Sequence, residues 1–246
     1  MTLRTPFYPL AGHFAIDLPG ARAVFTTRRG GHSSGPYASL NLGFLTDDDQ
    51  DLVMRNRATL EAELGVSGLS FVHQVHGAQV RRITAGSTEP AQPPRADGQA
   101  TDVRGIAPAA LVADCLPIAV AGNGAVAMLH AGWRGLAGGV VAAGVDAVRG
   151  LGAVGALSAA IGPGAGRCCY QVGPEVHAAF SSLPGAVHCG DTLDLKAIAR
   201  HQLARAGVAV IDDIDLCTIC SERAVLFSHR RDHGVTGRQA GVAWLT

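Results

Sequence analysis

Charge is scarce in this chain, and lysine is almost missing from it. Charged residues make up 16% of the 246, Lys196 is the single lysine, and acids and bases cancel to a net charge of zero. Such a chain has nothing to track a phosphate backbone or an anionic membrane, so nucleic acid and membrane surfaces are excluded as expected partners. A small molecule, uncharged or carrying one local charge, fits better. The opening MTLRTPFYPLAGHF lacks the apolar segment of about 7–15 residues that marks a signal peptide. The longest apolar stretch, between Gly105 and Trp133, is broken by Pro108, Asp114, Pro117 and Asn123. It falls short of a membrane span of about 20 residues. The expected compartment is the cytoplasm. No repeat of 20–50 residues and no low-complexity tail is visible.

What the chain has is apolar mass. Hydrophobic residues are 48% of it, enough for a sizeable core, and a single domain over residues 1–246 is expected. The six cysteines are 115, 168, 169, 189, 217 and 220. In a reducing compartment they are thiols or metal ligands rather than a disulfide framework. Cys217-x-x-Cys220 is a lone pair of its kind, and a structural zinc wants a second pair at similar spacing. Adjacent Cys168 and Cys169 do not supply it in the usual form, so the spacing reads as two buried thiols.

Periodicity places the elements. Residues 21–28 read as a strand followed by a glycine-rich turn. Residues 50–64 carry Leu52, Val53, Leu60 and Leu64 with charges between, a helix. Residues 69–83 suggest one or two strands, and 86–98 a loop rich in proline and glycine. ALVADCLPIAV and AVAMLHAGW read as buried strands, 136–150 as a helix packed on them, and 157–162 as another strand. Residues 194–206 form an amphipathic helix, capped by Asp194 and Gly207. Strands over 208–216 and 223–230 close the chain. Strands and helices mix without strict alternation, which points to an α+β fold with mixed sheets.

Four segments set polar groups among apolar strands: HQVHG at 73–77, ADCLP at 113–117, HAGWRG at 130–135 and SHRRD at 228–232. Burying such groups costs several kcal/mol unless they are paired or bind a metal. Alternation puts His76 on a face with Val72 and Gln74, and His130 on one with Val126 and Met128. Each histidine then ends a strand beside a glycine turn. His76, Cys115 and His130 make a ligand set of the kind that leaves a fourth zinc position open. Their separations of 39 and 15 residues match no zinc finger, so three strands would have to assemble the site. Taken singly, a buried cysteine is usually a small apolar residue, and a strand-end histidine is usually satisfied by hydrogen bonds.

The segments TTRRGG, SLNLG, HQVHG, ADG, ADCLP, HAGWRG, GPGAGRCCYQVG and CTICSERAVLFSHRRDHGVTGRQAG occur in this order from residue 24 to the C-terminus. Together they resemble the laccase-domain, or polyphenol oxidase-like, family of purine nucleoside phosphorylases. GAGRCC departs from the commoner wording, which has proline before the paired cysteines. The resemblance implies a four-layer α/β/β/α sandwich with mixed sheets. It implies zinc held by His76, Cys115 and His130, with His73 a neighbour rather than a ligand. It also implies phosphorolysis of adenosine, inosine and methylthioadenosine to base and sugar 1-phosphate, with adenosine deamination beside it. Purine nucleosides and phosphate are then the partners of a monomer or homodimer.

The chemistry asks for further groups. Deamination needs activated water, which zinc can provide, and a proton shuttle, for which Asp97 and Asp114 are candidates. Either aspartate is equally well a turn former. Phosphate suits an arginine fork. Arg28 and Arg134 are the favoured positions among Arg28, Arg134, Arg230, Arg231 and Arg238, and solvated or structural ion pairs are the ordinary alternative. Asn41 and Gln74 are candidates for base or ribose, or for tying down loops. Two rival readings use the same triad. Copper could replace zinc, with Met128 as a weak extra ligand, and oxidise phenols as a side activity. The chain has no HxH pair, so it is not a multicopper oxidase of the cupredoxin type. Alternatively, Cys115 is the nucleophile and His130 the base of a metal-free hydrolase.

Overall fold

The computed structural model describes residues 3–87, 92–183 and 185–246. The chain opens with β1 (Tyr8–Leu10), β2 (His13–Leu18) and β3 (Ala21–Phe25), then helix α1 (Gln50–Leu64). Next come β4 (Gly68–Ser70), β5 (Val80–Ile83), β6 (Gly98–Thr101), β7 (Ile106–Val112), β8 (Leu116–Asn123) and β9 (Ala125–Ala131). Helices α2 (Trp133–Ala137) and α3 (Val140–Gly150) lead to β10 (Val154–Ile161) and α4 (Pro174–Ala178). The last elements are β11 (His188–Cys189), β12 (Thr192–Leu193), α5 (Leu195–Arg205), β13 (Val210–Asp213) and β14 (Gln239–Leu245).

Two six-stranded sheets carry the fold, in the orders β1-β2-β3-β14-β7-β4 and β13-β10-β8-β9-β6-β5. Both are mixed. The first is antiparallel except where β4 meets β7. The second is antiparallel except for the β5–β6 and β10–β13 pairs. The inner faces meet through Phe14, Ile16 and Phe25 on one side and Ala119, Ala121, Val126 and Met128 on the other. Helix α1 covers the outer face of the first sheet with Leu60 and Leu64. Helices α3 and α5 cover the outer face of the second. The result is the α+β, four-layer α/β/β/α sandwich with mixed sheets. It explains why β8 and β9 are apolar at nearly every position: each is covered on both faces.

Small residues make the layers close. A Cβ at Gly144 of α3 would come 2.5 Å from Leu129 Cδ1, so only glycine lets the helix lie that near β9. Asp194 caps α5, its carboxylate accepting from Ala197 N at 2.9 Å. Gly207 follows that helix at φ 79°, the left-handed exit glycine favours.

Several expected elements divide or move. The strand expected over ALVADCLPIAV is two, β7 in the first sheet and β8 in the second. Ala113–Cys115 is the corner where the chain crosses between sheets. The helix expected over 136–150 is also two, broken at Gly139 with φ 88°. HQVHG forms no strand. Residues 223–230 form turns and irregular chain rather than a strand, and the Gln239 side chain occupies the backbone of Phe227. Its Oε1 accepts from Phe227 N at 2.7 Å and its Nε2 donates to Phe227 O at 3.1 Å. The strand at the C-terminal end of the chain is instead β14. Of the loop expected over 86–98, residues 88–91 lie outside the described ones. No described helix is long and apolar enough to cross a membrane.

Candidate metal centre

His130 is the penultimate residue of β9. Alternation along the strand puts it on the inner face with Val126 and Met128, so it emerges at the end of the layer between the sheets. Cys115 stands at the β7–β8 corner. His76 is not at a strand end as expected: it sits in a turn at φ 59°, a left-handed conformation that costs a non-glycine residue about 1–3 kcal/mol. Asp97 holds it there. This fully buried carboxylate accepts from His76 N at 2.8 Å, Gly77 N at 2.6 Å and Val75 N at 3.2 Å. The same side chain faces His130 Nδ1 at 2.9 Å. One aspartate thus fixes the backbone that presents one histidine and the ring orientation of the other.

The donor atoms of His76, Cys115 and His130 lie within 4.8 Å of one another. The two imidazoles meet edge to face with centroids 4.9 Å apart. Gly132, just after β9, leaves the space they share: a Cβ there would lie 2.7 Å from Cys115 Sγ and 3.2 Å from His76 Cδ2. With Nδ1 of His130 turned to Asp97, its Nε2 is the nitrogen available for a metal, the usual arrangement of a ligating histidine. Two imidazoles and a thiol, graded from exposed His76 to buried His130, therefore suit a zinc-type ion with an open side.

The electrostatics agree with a thiolate–imidazolium pair when no ion is bound. Burial raises the Cys115 thiol, but the charge and hydrogen bonds of His130 and His76 outweigh it and bring it down to about 6. Burial lowers His130, while Cys115 and Asp97 together lift it to about 9. Burial raises Asp97, but His130 and the Gly77 and Val75 N–H groups hold it below the ordinary carboxylate range.

The triad opens into a cavity of about 580 Å³, a size suited to a small molecule. Gln74 lines it, its amide clamped to the backbone of Leu111 at 2.8 Å in both directions. The other candidates are placed elsewhere. Arg28 is buried with its guanidinium on the carbonyls of Ala38, Arg223 and Pro36 and over the Phe227 ring. Asn41 is fully buried. It ties Thr46, Asp48, Gly43 and Arg238 together, so it shapes the cavity from behind. Arg134 is exposed and lies over its neighbour Trp133. Met128 is in the inter-sheet core, its sulfur against Gly241. Asp114 is engaged by Thr218 Oγ1 at 2.6 Å and Arg230 N at 2.8 Å.

Sequence reasoning missed Arg57. It looks like one more solvent-facing charge on α1, yet its guanidinium is stacked between Phe44 and Phe71, 4.1 and 3.7 Å from the ring centroids. Burial pushes it down to about 10. With Arg238 it lines the cavity. No periodicity signals this, because the two phenylalanines come from loops.

Fold and site together define a two-sheet α+β protein with a nitrogen–sulfur pocket of metal-binding type at the seam of its sheets. The chain belongs to the family described as multi-copper polyphenol oxidoreductase laccase, which residues 22–246 match. It is 40% identical to purine nucleoside phosphorylase YlmD of Geobacillus stearothermophilus, over 91% of this chain and 90% of that one. A purine nucleoside phosphorylase of Xylella fastidiosa is 38% identical, over 92% and 93%. The crystal structure of YlmD from Geobacillus stearothermophilus superposes with a TM-score of 0.87 at 36% identity, covering 97% of this chain and 98% of that one. The Bacillus licheniformis hypothetical protein YfiH gives 0.90 at 32% identity, covering 99% and 100%.

Proposed function

We propose that this chain is a zinc-dependent purine nucleoside phosphorylase, a single catalytic domain that also deaminates adenosine. Its substrates are adenosine, inosine and methylthioadenosine, with phosphate as the second reactant. The observation that carries the reading is the meeting of the His76–Cys115–His130 triad with a nucleoside-sized, partly aromatic cavity. The relatives named purine nucleoside phosphorylases support it.

When bound, the metal supplies Lewis acidity toward substrate atoms and activates water. The remaining work falls to the chain. Phe44 and Phe71, stacked on Arg57, add aromatic surface to the wall that would face a purine. Arg57 and Arg238 are the arginines that line the cavity, and they take the phosphate role in place of Arg28 and Arg134, which do not line it. Arg238 Nη1 is held by the Thr236 and Gly237 carbonyls at 3.0 Å, which aims the guanidinium without consuming all its donors. In phosphorolysis a phosphate oxygen bonds to C1′ as the glycosidic C–N bond breaks and its electron pair leaves with the base. Holding the anion beside the sugar stabilises the positive charge that develops there. For deamination, Asp97 and Asp114 are already committed to structural hydrogen bonds. That leaves the exposed His73 and His229, both on the cavity wall, to carry protons.

The test follows inosine and adenosine by chromatography, with and without phosphate, for wild type and Cys115→Ala. Phosphate-dependent release of hypoxanthine that vanishes in the variant supports the phosphorylase. Unchanged nucleoside in every sample with metal present at the triad sinks it.

One observation favours a second reading. Cys115, His130 and Asp97 are connected in the order of nucleophile, base and orienting acid. A metal-free hydrolase of this kind would survive chelation and die on alkylation, the reverse of what zinc dependence requires. A copper-loaded triad oxidising phenols would show instead as phenol turnover that follows copper content.

A further inference from the structure

Four of the six cysteines lie outside the triad yet together. Cys168 and Cys169 follow β10 on a tight turn, with the N–H groups of Cys169 and Tyr170 both donating to Gly166 O at 3.0 Å. Cys217 and Cys220 lie on a second turn, closed by Ser221 N donating to Cys217 O at 3.0 Å. The turns are clasped by Gly164 N to Leu216 O at 3.2 Å and Thr218 N to Gly164 O at 3.0 Å. This brings all four Sγ atoms within 4.8 Å of one another. Cys168 and Cys169 are 3.5 Å apart at sulfur, and Cys168 and Cys220 are 3.6 Å apart. Four sulfurs at about 2.3 Å from one zinc ion form a tetrahedron with edges of about 3.8 Å. The observed spacing is close to that edge.

The backbone is arranged around sulfur as well. Gly166 N donates to Cys217 Sγ at 3.3 Å. A metal-bound thiolate is steadied by a donor of this kind. A Cβ at Gly166 would lie 3.0 Å from Cys217 Cβ and 3.2 Å from Cys168 Sγ, so glycine leaves room for the sulfurs. The expectation of two buried thiols fails, because Cys220 is exposed and Cys217 only partly buried. Spacing could not find the group: adjacent cysteines resemble no zinc half-site until the second turn is folded against them.

We propose that Cys168, Cys169, Cys217 and Cys220 form a second metal centre, a closed four-thiolate site for one zinc ion. With all four ligands from the chain it is structural rather than catalytic. It ties two turns that also hold the corner before Cys115: Ala165 N donates to Asp114 O at 2.8 Å, and Thr218 Oγ1 to Asp114 Oδ1 at 2.6 Å.

X-ray absorption at the zinc edge tests this on wild-type protein purified under reducing conditions without chelator. The triad can give each zinc a single sulfur. An average clearly above one sulfur per zinc, at about 2.3 Å, is the expected result, with zinc content near two per chain. The Cys115→Ala protein should keep one zinc with a pure four-sulfur shell, and Cys217→Ser/Cys220→Ser should lose that shell. An average of one sulfur or fewer overturns the proposal, as does wild-type protein without zinc or with a disulfide among the four. The sulfur count separates this outcome from failure of the phosphorylase reading, which concerns the triad alone.

Discussion

At the residue scale Asp97 governs the triad, because it faces His130 Nδ1 and accepts the N–H groups that hold His76 in its left-handed turn. An outer hydrogen-bond partner of this type is typically worth about 10–100-fold in metal affinity. Asp97→Asn should weaken zinc at the triad by that order in competition with a chromophoric chelator. In metal-stripped protein the same network predicts the pH dependence of alkylation. The thiolate is the reactive form, and Cys115 is brought down to about 6. Its modification by iodoacetamide, read by mass spectrometry of its peptide, should therefore switch on as pH rises through about 6. In Asp97→Asn, His130 loses a partner that lifts it, and the switch should move to higher pH. A midpoint for wild type near that of free cysteine would mean that the pair does not form. The three triad residues were legible mainly through the family resemblance of their motifs, and His130 also as a polar residue in an apolar strand. Arg57 was not, since nothing local distinguishes an arginine that stacks between two loop phenylalanines from one in water.

At the scale of elements, the site depends on where strands stop. The β7–β8 corner and the β9–α2 junction both place a site residue where the chain leaves a sheet, and Gly132 stands at the second of these. Gly132→Ala should cost at least tenfold in triad metal affinity, because its Cβ needs the space of Cys115 Sγ. Its far-ultraviolet circular dichroism should stay that of wild type, since the junction is extended, with φ −79° and ψ 172°. Retained affinity in a folded variant would show that the corner yields to the added methyl group. Helices α1 and α5 were legible to within a residue or two because their periodicity and caps are local. The split of ALVADCLPIAV between two sheets was not, for its apolar run looks the same whether it continues or turns.

At the scale of the whole molecule, the inter-sheet layer positions everything else. Phe25 fills it, only 1% exposed, and lies so close to Gly162 that a Cβ there would meet its ring at 2.3 Å. Phe25→Ala should destabilise the fold by about 3–5 kcal/mol, a drop of roughly 6–20 °C in Tm for a chain of this length. A calorimetric scan showing a smaller loss would mean that the sheets close over the gap. The sequence by itself determined the class of fold, the two long capped helices and the apolar central strands, and through the family resemblance of its motifs it singled out the three residues proposed as ligands. The fold class, helices and strands rest on local periodicity and capping chemistry, and the triad on the resemblance of its motifs. Only the tertiary structure decided that Asp97 orients the site, that Arg28 and Arg134 lie outside the cavity while Arg57 and Arg238 line it, and that four scattered cysteines converge. Those outcomes depend on which distant segments the two sheets bring within a few ångströms, and side-chain spacing along a chain carries no measure of that distance.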